Sequence, residues 1–155
     1  MTRGFYKVML GQRSKDANIC RAEGFIGTDF DVYEDLSQQL PENWREFSEK
    51  WIPHFMQTRT SKVSAGLAAG QLWVVSKGIS QGDIVLSPTG TPGELVAGEV
   101  ISDYEYQPNG PLPHRRRVKW LPGVQETQLI IQLFRVLKPM TMTLHSRVYC
   151  SNTLN

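Results

Sequence analysis

Hydrophobic positions follow a helical period in the first half of the chain. An apolar stripe with spacings of three and four predicts a core-facing helix over Ser37–Phe55, which Pro53 limits at its far end. The stripe consists of Trp44, Phe47, Trp51 and Phe55. Ser61 is placed to cap a second, short helix through Ala69, which Gly70 would stop. The segment Gln12–Asn18 is polar and predicts a loop or the start of a helix.

Short apolar runs bounded by Gly, Pro and Asp predict strands. They are Phe5–Leu10, Gly24–Gly27, Leu72–Val75, Asp83–Ser87, Leu95–Ile101 and Arg116–Trp120. The acidic, aromatic segment Thr28–Asp35 predicts a loop. Gln125–Leu137 predicts an amphipathic helix, and Met140–Cys150 a weaker strand. Helices and strands together indicate an α+β fold, with residues 1–150 as one domain and residues 151–155 as a flexible tail.

Composition narrows the function classes. The 155 residues suffice for one core, and a formal net charge of +2 means that any affinity for nucleic acid must come from local clustering. The two cysteines and three histidines lack the spacing of a zinc site or a disulfide framework, so we expect no metal and no cofactor. Without a membrane-spanning apolar run or a signal-peptide pattern, we expect a cytoplasmic protein with no membrane partner.

A cationic run in the last of these strands carries the clearest functional signal. Side chains alternate between the faces of a strand, so one face would hold Arg115, Arg117 and Lys119. The other face would hold Arg116, Val118 and Trp120. Such a stripe suits phosphate contacts, although composition alone favours an ordinary solvated sheet face. The expected phosphate-binding residues are Arg115, Arg116, Arg117, Lys119, His114, Lys77 and Arg13.

Motifs for catalysis are absent from the sequence. It has no Gly-x-Ser-x-Gly elbow, no phosphate-binding Gly-rich loop and no Glu-x-Lys pair after a suitable strand. The Gly82-Asp83 pair before Ile84 has the form of a tight turn with a structural role. A binding module is therefore favoured over an enzyme.

The order of several segments resembles the EVE/YTH-like branch of the PUA superfamily. In particular, it is similar to the amino-terminal domains of modification-dependent (type IV, Mrr and McrB type) restriction proteins. The matching segments cover about residues 4 to 138. They are Phe5–Gly11, Phe25–Gly27, Asp35–Ser37, Ile79–Val85, Ala97–Val100, Tyr104–Tyr106 and His114–Trp120.

The resemblance implies a curved β-barrel of about five to six strands flanked by helices. It also implies that a modified base, flipped out of double-stranded DNA, enters an aromatic pocket. The implied marks are methylated or hydroxymethylated cytosine and N6-methyladenine, and the implied partner is a fused or associated nuclease or NTPase. The matching pocket positions are Trp73, Tyr104, Tyr106 and Phe30, with Asp29, Gln12 and Ser14 reading the base edge.

Three alternatives stay open on the sequence. One is an RNA reader of the same fold, which the 2′-hydroxyl would distinguish. Another is a nuclease or hydrolase whose carboxylates have no recognisable motif. The last is a protein-interaction module.

Overall fold

The structure, a computed structural model, describes residues 3–122 and has an α+β architecture. Its strands are β1 (Phe5–Lys7), β2 (Phe25–Thr28), β3 (Ile84–Pro88), β4 (Leu95–Val100), β5 (Glu105–Tyr106) and β6 (His114–Trp120). Its helices are α1 (Ala17–Glu23), α2 (Trp44–Met56) and α3 (Lys62–Trp73), with a 3₁₀ turn at Gln12–Ser14 and a π-helical turn at Val74–Gly78. The helix and strand predicted after residue 122, and the tail, lie outside the described residues.

The six strands form one sheet in the order β1-β3-β4-β6-β2, with β5 also paired to β6. β1 runs parallel to β3, and every other pair is antiparallel. In the part of the chain that the structure describes, β1 and β2 end this path without pairing to each other. The sheet is therefore open there, and the coarse α+β prediction is confirmed.

Strand β6 pairs with three other strands. β2 pairs along one edge of it, while β4 and β5 share the other edge. β2 and β6 approach so closely that a Cβ atom at Gly27 would lie 2.7 Å from the carbonyl oxygen of His114. A glycine is required at this position because backbone atoms cannot give way to a side chain there.

Two hydrophobic clusters flank the chain segment that leads out of α3. The helical cluster contains Phe30, Val32, Leu36, Phe47, Trp51, Phe55, Ala65, Ala68, Ala69, Leu72 and Val75. The sheet cluster contains Val8, Leu10, Ala17, Cys20, Phe25, Ile26, Ile79, Val85, Val100, Leu112 and Val118. Val74 packs against both clusters, so the π-helical turn joins the two cores.

Helix α2 begins at Trp44 and not at Ser37, where the predicted helix began. The Asn43 side chain accepts a hydrogen bond from the Glu46 backbone N–H at 3.1 Å and donates to the Glu46 carboxylate at 2.7 Å, which fixes the start of the helix. Of the predicted stripe, Trp44 is 40% exposed, whereas the other three residues are buried. Pro53 lies inside the helix, which continues to Met56.

The predicted strand Leu72–Val75 is wrong, because these residues continue the helix. Ser61 does cap α3, accepting from the Ser64 backbone N–H, but Gly70 does not stop it. Leu72 and Val75 are both fully buried. A short run of consecutive apolar residues has the same sequence pattern in a buried strand and in a buried helix, so periodicity does not distinguish the two. Helix α1 begins within the segment Gln12–Asn18, which was predicted as a loop or the start of a helix. It ends at Gly24, which adopts the left-handed conformation.

Candidate nucleic-acid interface

The alternation predicted for the cationic strand is present in β6. Arg116 and Val118 are buried, whereas Arg117 and Lys119 are exposed. Arg115 and Trp120, at the two ends of the pattern, are half-buried. The cations therefore separate onto two faces with different surroundings.

On the outward face, most of the positive charge is already engaged. The Arg115 guanidinium lies 3.9 Å from the Phe25 ring centre and donates to the carbonyls of Leu112 at 2.9 Å and Pro111 at 2.6 Å. Arg115 thereby holds the β5–β6 loop against β2.

The two remaining outward cations face carboxylates. Arg117 Nε lies 3.3 Å from the Glu105 carboxylate. Lys119 is in register with Glu99, which pairs with Arg3 at 3.5 Å. Among residues 3–122, the outward face is thus closer to a balanced charge pattern than to a stripe of free cations.

His114, expected to contact phosphate, is instead a core residue with no exposed surface. Its Nε2 lies 2.8 Å from the Val32 carbonyl oxygen, which can only accept, so Nε2 carries the proton. Nδ1 then accepts from the Tyr104 hydroxyl at 2.7 Å. Burial lowers the pKa of His114, which keeps the ring neutral near pH 7. The phosphate assignment is wrong because the Val32 carbonyl and the rings of Tyr104 and Tyr106 enclose the imidazole.

The expected aromatic pocket does not assemble around one space. Trp73 lies on α3, with its ring centre 5.0 Å from that of Phe47 in the helical cluster. Phe30 is also buried there and contacts Phe55 edge-on at 6.5 Å. Tyr106 packs its ring on the buried His114 ring at 5.4 Å.

Two of the expected base-reading residues, Gln12 and Asp29, do meet, together with the expected pocket residue Phe30, in a small cleft that we call the Asp29 cleft. It is lined by Gly11, Gln12, Lys15, Asp16, Thr28, Asp29, Phe30 and Leu112. Its volume of about 60 Å³ is far below the roughly 300–1,000 Å³ of ligand pockets. Asp29 and Asp16 make it rich in acceptors. Ser14 and Arg13 line a different cleft, of about 310 Å³, beside the β3–β4 turn.

A larger cleft, which we call the Arg116 cleft, has a volume of about 1160 Å³. It lies between the segment after α3, the loop before α2 and the segment before β5. Its lining residues are Arg3, Ser37, Leu40, Ser76, Lys77, Ile79, Ser80, Gln81, Gly82, Asp83, Asp103, Tyr104 and Arg116. Lys77, Tyr104 and Arg116 were expected to contact nucleic acid, and the structure brings these three together.

Arg116 is only 4% exposed, and backbone carbonyls hold it in place. Its guanidinium donates to the carbonyls of Val75 at 2.6 Å and Ser76 at 2.9 Å, both in the π-helical turn. A longer bond of 3.4 Å reaches the carbonyl of Ser102. Carbonyls at the end of a helix carry partial negative charge, so Arg116 also caps this turn. Burial lowers the pKa of Arg116, and the charges of Asp103 and Asp83 oppose that change.

Other charged groups line the same cleft. The Asp83 carboxylate accepts from the backbone N–H groups of Gly4 at 2.7 Å and Ser80 at 2.8 Å, which is the structural turn role predicted for it. Lys77 Nζ donates to the Pro41 carbonyl at 2.6 Å and lies 3.5 Å from the Glu42 carboxylate. Three cations and two carboxylates, Asp83 and Asp103, thus line the cleft.

Tyr104 forms a fixed wall of the Arg116 cleft. Its hydroxyl donates to His114 and accepts from the Leu36 backbone N–H at 3.3 Å. Burial raises the pKa of Tyr104 to about 12, so the hydroxyl keeps its proton. Both hydrogen bonds restrict the ring, which stacks on the His114 ring at 5.9 Å, and Tyr104 is among the residues that line the cleft.

Sequence reasoning missed several lining residues, among them Arg3, Ser76 and Asp103. The alternation of side chains on β6 predicted that Arg116 lies on the opposite face from Arg115 and Arg117. It did not predict that Arg116 is buried against Val75 and Ser76. These residues lie 41 and 40 positions apart from Arg116 in the chain, so no local pattern reports the contact.

Comparison with known proteins gives a family without an assigned activity. A family model described as "Domain of unknown function (DUF8426)" matches residues 6–146. The chain belongs to this family. No curated protein and no solved structure matches the DUF8426 chain. The resemblance to EVE/YTH-like domains therefore stays a prediction.

Membrane-spanning helices and clusters of metal ligands are both absent from the described residues. No helix within residues 3–122 is long and apolar enough to cross a membrane. In the same part of the chain, no three side chains of His, Cys, Asp or Glu come together as a set of metal ligands.

Proposed function

We propose that this domain is a binding module that takes a base, flipped out of double-stranded DNA, into the Arg116 cleft. One observation carries the proposal: the cleft combines a volume of about 1160 Å³ with a buried guanidinium, a fixed tyrosine and cations at its mouth. These are the contact types that a nucleotide requires, namely stacking, edge hydrogen bonds and phosphate contacts.

Size favours the Arg116 cleft over the Asp29 cleft as the site of the base. Pockets for small molecules measure roughly 300–1,000 Å³. The Arg116 cleft, at about 1160 Å³, is somewhat larger than this range, whereas the Asp29 cleft, at about 60 Å³, is far smaller. Flipping a base costs a few kcal/mol of pairing and stacking, while stacking on a protein ring returns about 1–3 kcal/mol. The Tyr104 ring supplies that surface.

Two cations at the mouth are suited to the flanking phosphates. The Arg3 and Lys77 side chains are 44% and 31% exposed, and their partners Glu99 and Glu42 are 38% and 94% exposed. Exposed ion pairs contribute about 0–1 kcal/mol, so either cation can exchange its carboxylate for a phosphate at little cost. Arg117 and Lys119 on the outward face would add weaker, sequence-independent contacts.

The finer proposal is that the fold is PUA-like and that the module targets a modification-dependent restriction system. Short, strongly paired strands around β6 and the order of matching segments support it. In that setting the base would be methylated or hydroxymethylated cytosine or N6-methyladenine. A fused or associated nuclease or NTPase would then cleave or translocate the DNA.

A fluorescence-anisotropy titration of the whole chain tests this function. The probes are matched duplexes with cytosine, 5-methylcytosine, 5-hydroxymethylcytosine, adenine or N6-methyladenine at about 100 mM salt, beside the corresponding RNA duplexes. Lys77→Gln should weaken binding of the preferred duplex by about tenfold, because a phosphate contact at the cleft mouth is lost. The matched control, Lys119→Gln, removes the same charge from the outward face and should change affinity by less than about threefold.

Three results would reject the proposal. They are the absence of binding to any DNA duplex, stronger binding to RNA than to DNA, and equal losses in the two lysine variants. Equal losses would show that binding follows overall charge and does not involve the cleft.

A further inference from the structure

Arg116 is a cation withdrawn from water without a carboxylate beside it. It is 4% exposed, and no acidic side chain within residues 3–122 lies in salt-bridge distance of its guanidinium. Buried charges are normally paired, because desolvation of an ion costs several kcal/mol. The carbonyls of the π-helical turn offset only part of a full charge, as the end of a helix carries about half an elementary charge.

The guanidinium also keeps donors that the protein does not use. Arginine has five N–H groups. Three of them serve the carbonyls of Val75, Ser76 and Ser102, through Nε, Nη2 and Nη1 in that order. One N–H on each terminal nitrogen is left, and Arg116 is among the residues that line the cleft. Two such donors match two oxygens of a carboxylate or a phosphate.

The charge of the cleft points the same way. Of the three lining cations, Arg3 and Lys77 each pair with a carboxylate outside the lining, Glu99 and Glu42, whereas Arg116 has no acidic side chain within salt-bridge distance in the described part of the chain. Asp83 cannot turn toward Arg116 freely, because both of its oxygens are held by backbone N–H groups. An entering monoanion would supply the counter-charge that Arg116 lacks.

We propose that the ligand of the Arg116 cleft carries an anionic group with two acceptor oxygens, which Arg116 binds bidentately. The inference rests on the proposed function and sharpens its ligand class. The recognised nucleotide would bear either an acidic group on its base or a terminal phosphate. This ligand class departs from the methylated and hydroxymethylated bases of the finer proposal, because a methyl or hydroxymethyl group brings no negative charge to Arg116.

Anisotropy titrations with the whole chain distinguish the two sources. One pair of probes compares a duplex containing 5-carboxylcytosine with the same duplex containing 5-methylcytosine. The other pair compares a strand with and without a 5′-phosphate. We expect the anionic member of at least one pair to bind about tenfold more tightly, which corresponds to about 1.4 kcal/mol. The responding pair identifies the source of the anion.

Arg116→Lys is the matched control, because it keeps the charge and removes the planar pair of donors. The preference should fall below about threefold in this variant if bidentate binding causes it. If Arg116→Lys does not fold, the wild-type preference is remeasured at about 300 mM salt. A buried contact is screened little, whereas a preference from long-range charge should disappear.

The possible failures are separable. Tighter binding of the 5-methylcytosine duplex than of the 5-carboxylcytosine duplex, with no effect of the 5′-phosphate, would overturn this inference and leave the proposed function intact. If no nucleic acid binds, the proposed function fails. Thermal unfolding of the wild-type chain in inorganic phosphate, against chloride at equal ionic strength, then decides the anion site. A rise in Tm supports that site, and an unchanged Tm overturns it.

Discussion

Arg116 and Arg117 are adjacent in the sequence and have opposite environments. Arg116 points inward, 4% exposed, and donates to carbonyls from three residues. Arg117 points outward with its side chain 55% exposed and pairs with the partly exposed Glu105. The comparison shows that a run of cations on a strand is not one electrostatic patch. The pleat divides it into a cation that organises the interior and cations that face solvent.

Removing each arginine in turn is the strongest test of this contrast. Arg116→Ala should lower the free energy of unfolding by about 3–5 kcal/mol, since it leaves buried carbonyls unpaired and opens a cavity. Arg117→Ala should lower it by less than about 1 kcal/mol, as expected for an exposed ion pair. Urea denaturation of both variants and the wild type measures the difference. Similar losses in the two variants would contradict the division of roles.

Two tyrosines near β6 allow a milder version of the same test. Tyr104→Phe removes the donor to His114 Nδ1 and the acceptor of the Leu36 N–H, so we expect a loss of about 1–3 kcal/mol. The hydroxyl of Tyr106 forms no hydrogen bond within residues 3–122, so Tyr106→Phe should stay within about 0.5 kcal/mol of wild type. Thermal unfolding can rank the two. A larger loss of stability from Tyr106→Phe than from Tyr104→Phe would contradict the hydrogen bonds assigned to the Tyr104 hydroxyl.

The buried imidazole predicts a pH dependence. Because the pKa of His114 is lowered from 6.5 in the fold, the unfolded chain binds more protons between the lowered pKa and 6.5. The free energy of unfolding should therefore fall as the pH is reduced through 6.5, by at most about 1.4 kcal/mol per pH unit for one proton. It should level off below the lowered pKa.

Melting curves between pH 7.5 and 5 check this prediction, and exposed His54 provides the matched control. His54→Gln should keep the pH slope, whereas His114→Gln should flatten it even if the variant is less stable overall. A wild-type chain that gains stability on acidification in this range would contradict a neutral His114.

Strands with clear boundaries could be predicted from the sequence. Asp83–Ser87 and Leu95–Ile101 agree with β3 and β4 within one residue, and the short run at Gly24–Gly27 with β2. Gly, Pro and Asp mark their ends, and alternation on β6 assigned its two faces correctly. The end of helix α3 was predicted wrongly, because Leu72 and Val75 are buried in the helical cluster and Val74 packs against both clusters, so the run shows no polar face.

The site was harder to predict because its partners are distant in the sequence. Trp73 was expected on a strand beside the pocket. It is the last residue of helix α3 and packs against the helical cluster. Lys77, Tyr104 and Arg116 were identified as binding residues, yet their common cleft depends on the π-helical turn. No sequence pattern predicts that turn, in which Val74 packs against both hydrophobic clusters.

The pairing of β1 with β3 also sets an order of events during synthesis. The Gly4 N–H is bonded to Asp83, 79 residues later, and Phe5 is in register with Ile84. At about 5–20 residues per second, a ribosome needs roughly 4–16 s to supply that partner. β2 waits longer, because its partner β6 follows β3 and β4. The β3–β4 and β5–β6 pairings are local in the sequence, so they can form first. The amino-terminal strands β1 and β2 then join the sheet later.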